Sequence, residues 1–194
     1  MINKVLEGRS DAAFIRSAYS QSHRKYHTLG HLNEMLRWVP DNYEGRPALI
    51  DAILYHDYVH FPDPHPTGEL EAMSILHYGT LRGLPVKPAV AAAIIATAFH
   101  HVDQVNLLPL SQMLCDLDMC TLAYSWDEFA EIQTRVFDEY APVYGSIKAA
   151  FRENSRFMEA LRARKQIYYM HPHWEEKARA NIEYRLTKWR CPSG

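Results

Sequence analysis

The 194-residue chain predicts an all-α fold, and three observations carry that expectation. Apolar residues recur at three- and four-residue spacing through most of the sequence, the period of a helix with one buried face. Runs that alternate apolar with polar residues, the mark of a half-buried strand, are nearly absent. A hydrophobic content of 47% beside 23% charged residues suits a packed core.

Taken in order, a first helix is expected over 10–21, where the Ser10 hydroxyl can cap free amides and Phe14, Ile15 and Ala18 share a face. A second covers 28–39, with Leu32, Met35, Leu36 and Val39 at core spacing and Pro40 as its stop. A third runs over 47–59. Three prolines in 61–66 then force an extended loop. Further helices are expected over 67–81, 87–101, 110–123, 126–140, 145–166 and 172–189. The sum is a bundle of roughly eight or nine helices. Glycines and prolines are nowhere massed into a linker, so residues 1–194 read as one domain.

A formal net charge of −2 gives no field to gather nucleic acid or an anionic membrane, so neither is expected as a partner. The longest apolar stretch, 88–99, falls well short of the roughly 20 residues needed to span a bilayer. With no export signal visible, a cytoplasmic location is expected. The three cysteines lack Cys-x-x-Cys spacing, which argues against a disulfide framework or a thiolate zinc site. The clustered arginines of 152–164 read as a solvated helix face, and apolar helix faces leave a homodimer open. Histidine, at 11 residues, is the surplus that asks for a chemical explanation.

Three segments concentrate chemistry. His27 and His31 stand four apart and share one helical side, as ligands of one site or as surface decoration. His56 and Asp57 sit within an apolar run, where a carboxylate needs a metal cation or an arginine partner. Asp116 and Asp118 are again acids among apolar residues, either sharing a cation or capping a helix.

The order His, then His-Asp, then Asp resembles the HD superfamily of metal phosphohydrolases, named for the pair seen here as His56-Asp57. Tyr26-His27-x-x-x-His31 and His56-Asp57-x-x-His60 are similar to motifs of its cyclic-nucleotide phosphodiesterase branch. Over nearly the whole length the chain looks like a family of small HD proteins with largely predicted activity. The matching residues are Arg24 to His27, His31-Leu32, Met35-Leu36, His56-Asp57, Glu69, Thr97, His100, Asp116, Asp118, Glu139-Tyr140, Ala178-Arg179 and Asn181-Ile182. That family commonly has tyrosine where this chain has His60.

The resemblance implies an HD-type fold and a metal-dependent phosphohydrolase that cleaves a phosphomonoester or nucleotide. Its ligands would be His31, His56, Asp57 and Asp118, with Asp116 as fallback. Asp118 is preferred because its Asp-Met setting resembles Asp-Leu of related sites. His27 would protonate the leaving oxygen, Asp57 would serve catalysis as well as ligation, and Arg24, His60 and His100 would bind substrate. Glu69 would orient a ligand histidine. Mixed imidazole and carboxylate ligation suits Mn²⁺, Fe²⁺, Co²⁺, Zn²⁺ or Ni²⁺, with Mg²⁺ also compatible. One ion is expected rather than two, any second being held partly by His60, Glu69 or His100. Rival readings are a di-iron oxygenase on the same fold and a non-catalytic regulatory module. His65, His171 and His173, beside prolines, are expected as exposed loop residues without a role.

Overall fold

The computed structural model describes residues 1–62, 68–83 and 85–191. The described residues form ten α-helices and no strand: α1 (Ile2–Leu6), α2 (Ala12–Ala18), α3 (Leu29–Arg37), α4 (Arg46–Tyr55), α5 (Glu69–Arg82), α6 (Pro88–Thr97), α7 (Pro109–Asp118), α8 (Trp126–Tyr144), α9 (Ile147–Ala163) and α10 (Glu175–Thr187). Two short 3₁₀ turns, Cys120–Ala123 and Pro172–Trp174, precede α8 and α10. The all-α expectation holds, and α1 is the element that the sequence pattern does not announce.

Local chemistry explains most boundaries. Thr28 caps α3, its hydroxyl accepting from the Gly30 amide, and Leu32, Met35 and Leu36 form the buried face. Pro47 and Pro88 stand in the first turns of α4 and α6, where a missing N–H costs nothing. Gly68 (φ 83°) and Gly83 (φ 60°) bracket α5 in the left-handed region, which only glycine enters freely. Ser125 and Glu128 close a reciprocal capping box on α8. The expected helix over 110–123 breaks after Asp118, and the expected helix over 172–189 begins as a 3₁₀ turn.

α4 is the central helix. Leu49, Ala52, Ile53, Leu54 and Tyr55 are all fully buried, packed by α3, α5, α6 and α7. The alanine-rich α6 lies closely against α7, as small side chains allow. α8 and α9 pair with each other, and α10 packs on α9 and on the Cys120–Ala123 turn. Asn181 of α10 fastens that turn by donating to the carbonyls of Leu122 and Tyr124 at 2.8 and 2.9 Å. The matching residues Ala178, Asn181 and Ile182 are therefore packing residues. No described helix is long and apolar enough to cross a membrane.

At the far side of α4 a polar cluster is buried. Arg9 donates to Asp11 and to Asp51, while Tyr55 and Tyr78 donate to Asp11 and Asp51 respectively. Burial works against the Asp11 charge, but its hydrogen bonds from Arg9 and Tyr55 prevail and hold its carboxyl below the ordinary value. A depressed carboxylate stabilises the fold above its unfolded pKa, and that contribution is lost as pH falls through the folded one. Arg9→Ala leaves two buried acids without their main cation and is expected to cost about 3–5 kcal/mol at neutral pH. Urea melts across pH should show the gap to wild type shrinking on acidification. A gap independent of pH would contradict this account.

Candidate metal centre

The site is built from helix ends. His31 stands in the first turns of α3, Asp118 is the last residue of α7, and His56 and Asp57 follow the last residue of α4. The sequence expectation places His56-Asp57 inside a helix over 47–59; the helix instead ends at Tyr55, with His56 as its C-cap. Ending there lets adjacent side chains turn to one point, which consecutive residues of a helix, about 100° apart, do poorly.

His31 Nε2 lies 3.3 Å from His56 Nε2 and 2.9 Å from Asp118 Oδ1. His56 Nε2 lies 3.0 Å from Asp57 Oδ2 and 3.4 Å from Asp118 Oδ1, while His31 Nε2 and Asp57 Oδ2 are 4.0 Å apart. The Nδ1 of His56 is 2.9 Å from the Ile53 carbonyl, a contact that needs the proton on Nδ1 and turns the Nε2 lone pair toward the other three groups. Asp57 Oδ2 is buried and accepts no hydrogen bond.

These four residues fit a divalent ion. Donor atoms about 2.0–2.2 Å from one cation stand roughly 3 Å apart as neighbours and roughly 4 Å apart across it, which is the pattern of separations here. Two imidazole lone pairs and two carboxylates facing one another repel unless a cation or protons lie among them. Asp57 and Asp118 are only 15% and 16% exposed, through the cleft. Burial works to raise both carboxyls, yet the charge of His56 above all draws each well below the ordinary range. Against its own burial, the two aspartates carry His56 well above the ordinary imidazole value.

A second tier holds these groups. His100 meets Asp118 Oδ2 through Nε2 at 2.7 Å, and Arg164 donates to the His100 carbonyl at 2.8 Å. Burial opposes the His100 charge, but the bond to Asp118 carries its pKa up to about 10. His100 therefore both lines the cleft and orients the candidate ligand Asp118. Arg164 is buried, which corrects the reading of 152–164 as a uniformly solvated face.

Glu139 of α8 is the residue whose role the sequence reading misses. Its Oε2 accepts from the backbone amides of Lys25, Tyr26 and His27, and its Oε1 lies 2.5 Å from His27 Nδ1 and 2.6 Å from His60 Nε2. Burial favours its neutral form, but hydrogen bonds from both histidines hold its carboxyl far below the ordinary range. His60 is lowered to about 4 by burial and by the charge of His27. Burial opposes the His27 charge as well, and Asp57 and Glu139 together raise it. Of the two rings, His27 is the one whose charge the surroundings favour. His27, Asp57 and His60 form a second group able to hold a cation, with Asp57 common to both groups.

Four expectations need correction. Arg24 does not reach for phosphate: it is 4% exposed, and its guanidinium donates to the carbonyls of His27, Asp57 and Tyr58. It clamps the turn before α3 onto the chain after α4. Asp116 is no ligand; it faces away from Asp118 and accepts from the amides of Tyr169, Met170 and His171 at 3.1, 2.7 and 2.8 Å. Glu69 is exposed in the first turn of α5, and the acid of that helix that lines the cleft is Glu71. Helical spacing carries that signal, because Glu71 shares a face with the buried Ser74 and Tyr78. Burial, with the nearby Asp57 charge, raises Glu71. His171 is buried, stacked on Trp174 at 4.1 Å between centroids, whereas His173 is exposed and His65 lies outside the described residues.

No family model, curated protein or solved structure matches this chain.

Two outcomes are expected. Asp118→Ala should fold and lose metal affinity by more than the roughly 10–100-fold typical of an orienting partner. Asp116→Ala should keep the metal but strand three amides, costing about 2–4 kcal/mol and lowering Tm by roughly 5–15 °C. Metal analysis and calorimetry on the pair check this; metal loss in Asp116→Ala with retention in Asp118→Ala contradicts it. The second concerns pH. The raised His56 stabilises the metal-free fold below its unfolded pKa, and that contribution is lost as pH climbs through the folded value. A cation replaces those protons, so the Tm gain on adding Co²⁺ should grow from about pH 6 to about 8.5. A flat or falling gain would contradict it.

Proposed function

We propose that the chain is a metal-dependent phosphohydrolase of the HD type, acting on a phosphomonoester or nucleotide. The observation that carries the reading is the convergence of His31, His56, Asp57 and Asp118 at the wall of a cleft that His27 and His60 also line. A divalent ion held by His31, His56, Asp57 and Asp118 would lower the pKa of water from about 15.7 toward 7 and would polarise a phosphoryl oxygen.

The remaining work falls to the side chains. With Nδ1 held by Glu139, His27 presents Nε2 to the cleft and gives a proton to the departing oxygen. Glu139 is its positioning residue: it fixes the ring and, with Asp57, raises its pKa above the ordinary imidazole value. His60, neutral and held by the same carboxylate, places its ring beside His27 at 4.0 Å between centroids. Glu71, which lines the same cleft, would take a proton from attacking water.

A second reading, a di-iron oxygenase, draws on the His27, Asp57 and His60 group. That group has three members and shares one of them, and two are already held by Glu139. Iron-loaded protein with an oxygen-sensitive visible absorption band would favour it.

The test is a screen of phosphorylated metabolites with Mn²⁺, Co²⁺, Fe²⁺ or Mg²⁺, with Asp57→Ala as control. Turnover should vanish in the control, and equal turnover would reject the reading. His27→Gln should retain metal while kcat falls about 10²–10⁴-fold. Because the His27 pKa is raised, activity should persist above the usual imidazole range and fall as pH rises through that higher value. Glu139→Gln should move this alkaline limb to lower pH; an unmoved limb would exclude the positioning role.

A further inference from the structure

The cleft, about 410 Å³ in all and within the range of small-molecule sites, runs from the metal-binding groups to α8 and α9. The part between α8 and α9 is lined by Val136, Phe137, Ala150, Phe157 and Met158, with Glu153 and Asn154 of α9 as its polar members. Phe137, Ala150 and Met158 are almost wholly buried, so these walls belong to the folded core. Tyr140 stands at the junction, its ring 6.4 Å from those of His27 and His60.

Two features of the lining restrict what enters. No lysine or arginine lines it, and residues 63–67, 84 and 192–194 contain none. Its charged members are Asp57, Glu71, Asp118 and Glu153, beside histidines. Sites for polyphosphates surround the extra negative charge with guanidinium, ammonium or serial backbone amides, because a desolvated anion without them is costly. The second feature is Gln133 of α8, 5% exposed, whose Oε1 is buried without a hydrogen-bond partner in a wall that also carries Val136, Phe137, Phe157 and Met158. A buried acceptor left so is a standing cost that a ligand donor removes.

Resting on the phosphohydrolase reading, we propose that the substrate carries a single phosphoryl group at the metal centre and an apolar, ring-sized body between α8 and α9, with one N–H or O–H donor meeting Gln133. Diphosphates and triphosphates are excluded as preferred substrates.

Binding can be read apart from turnover with phosphonates, whose C–P bond does not hydrolyse. Calorimetric titration of Mn²⁺-loaded protein, at buffered free Mn²⁺, would compare methylphosphonate, methylenediphosphonate, 1-naphthylmethylphosphonate and indol-3-ylmethylphosphonate. Both aryl ligands should bind at least about tenfold tighter than methylphosphonate. The diphosphonate should bind more weakly than either aryl ligand. The indole, with its N–H, should bind tighter than the naphthalene, and Gln133→Leu should reverse that order, weakening the indole about tenfold. Val136→Trp, which narrows the part between α8 and α9, should remove the aryl advantage while methylphosphonate affinity stays. A diphosphonate that binds tighter than both aryl ligands, or no aryl advantage in wild type, overturns the proposal. An aryl advantage without hydrolysis of any aryl phosphate would support this binding site and remove the hydrolase reading instead.

Discussion

Asp57 and Asp118 face each other across two imidazoles in a pocket that water reaches only from the cleft, and compensation of that charge is the constraint around which the rest is arranged. Burial of carboxylates is expensive, and only positive charge within a few ångströms offsets it. Protons on the histidines supply it at low pH, and a divalent ion supplies it without them. The four donors already stand at separations suited to one ion, so binding requires little rearrangement of the backbone.

Such separations are held by residues that make no contact with the candidate ion. Asp116 ties residues 169–171 to α7, and Arg24 ties the turn before α3 to the chain after α4. Glu139 binds three consecutive amides and two imidazoles at once, which joins α8 to the same turn. Each is a buried charge fully engaged by hydrogen bonds, the arrangement in which a charged group can be kept inside a fold. The central α4, buried from Ala52 to Tyr55 among its neighbouring helices, sets the axis from which these ends are measured.

The sequence made the helical architecture legible through its periodicity, and α3 emerges with its expected cap at Thr28 and buried face. The His31, His56, Asp57 and Asp118 group was also legible, through the resemblance carried by the order His, then His-Asp, then Asp, since each segment alone leaves other readings open. What escaped were roles fixed by tertiary position. Arg24 looks like a phosphate ligand until the carbonyls it serves, more than 30 residues away, are seen. Glu139 has no local signal, since its partners lie more than 70 residues earlier in the chain. Asp118 is preferred over Asp116 from its Asp-Met setting, but what Asp116 does instead, receiving the amides of 169–171, shows only in the packing on that side of α7. Glu71 is the exception, for its helical spacing with Ser74 and Tyr78 was readable.

The central claim is that one cation is shared by side chains from three separate helix ends. Anomalous diffraction from crystals grown with Co²⁺, recorded on either side of its absorption edge, examines this without reference to any substrate. A single strong peak within bonding distance of His31 Nε2, His56 Nε2 and a carboxylate oxygen from each of Asp57 and Asp118 is the expected result. A peak bound elsewhere, or an ordered protein with no peak between these residues, would contradict it.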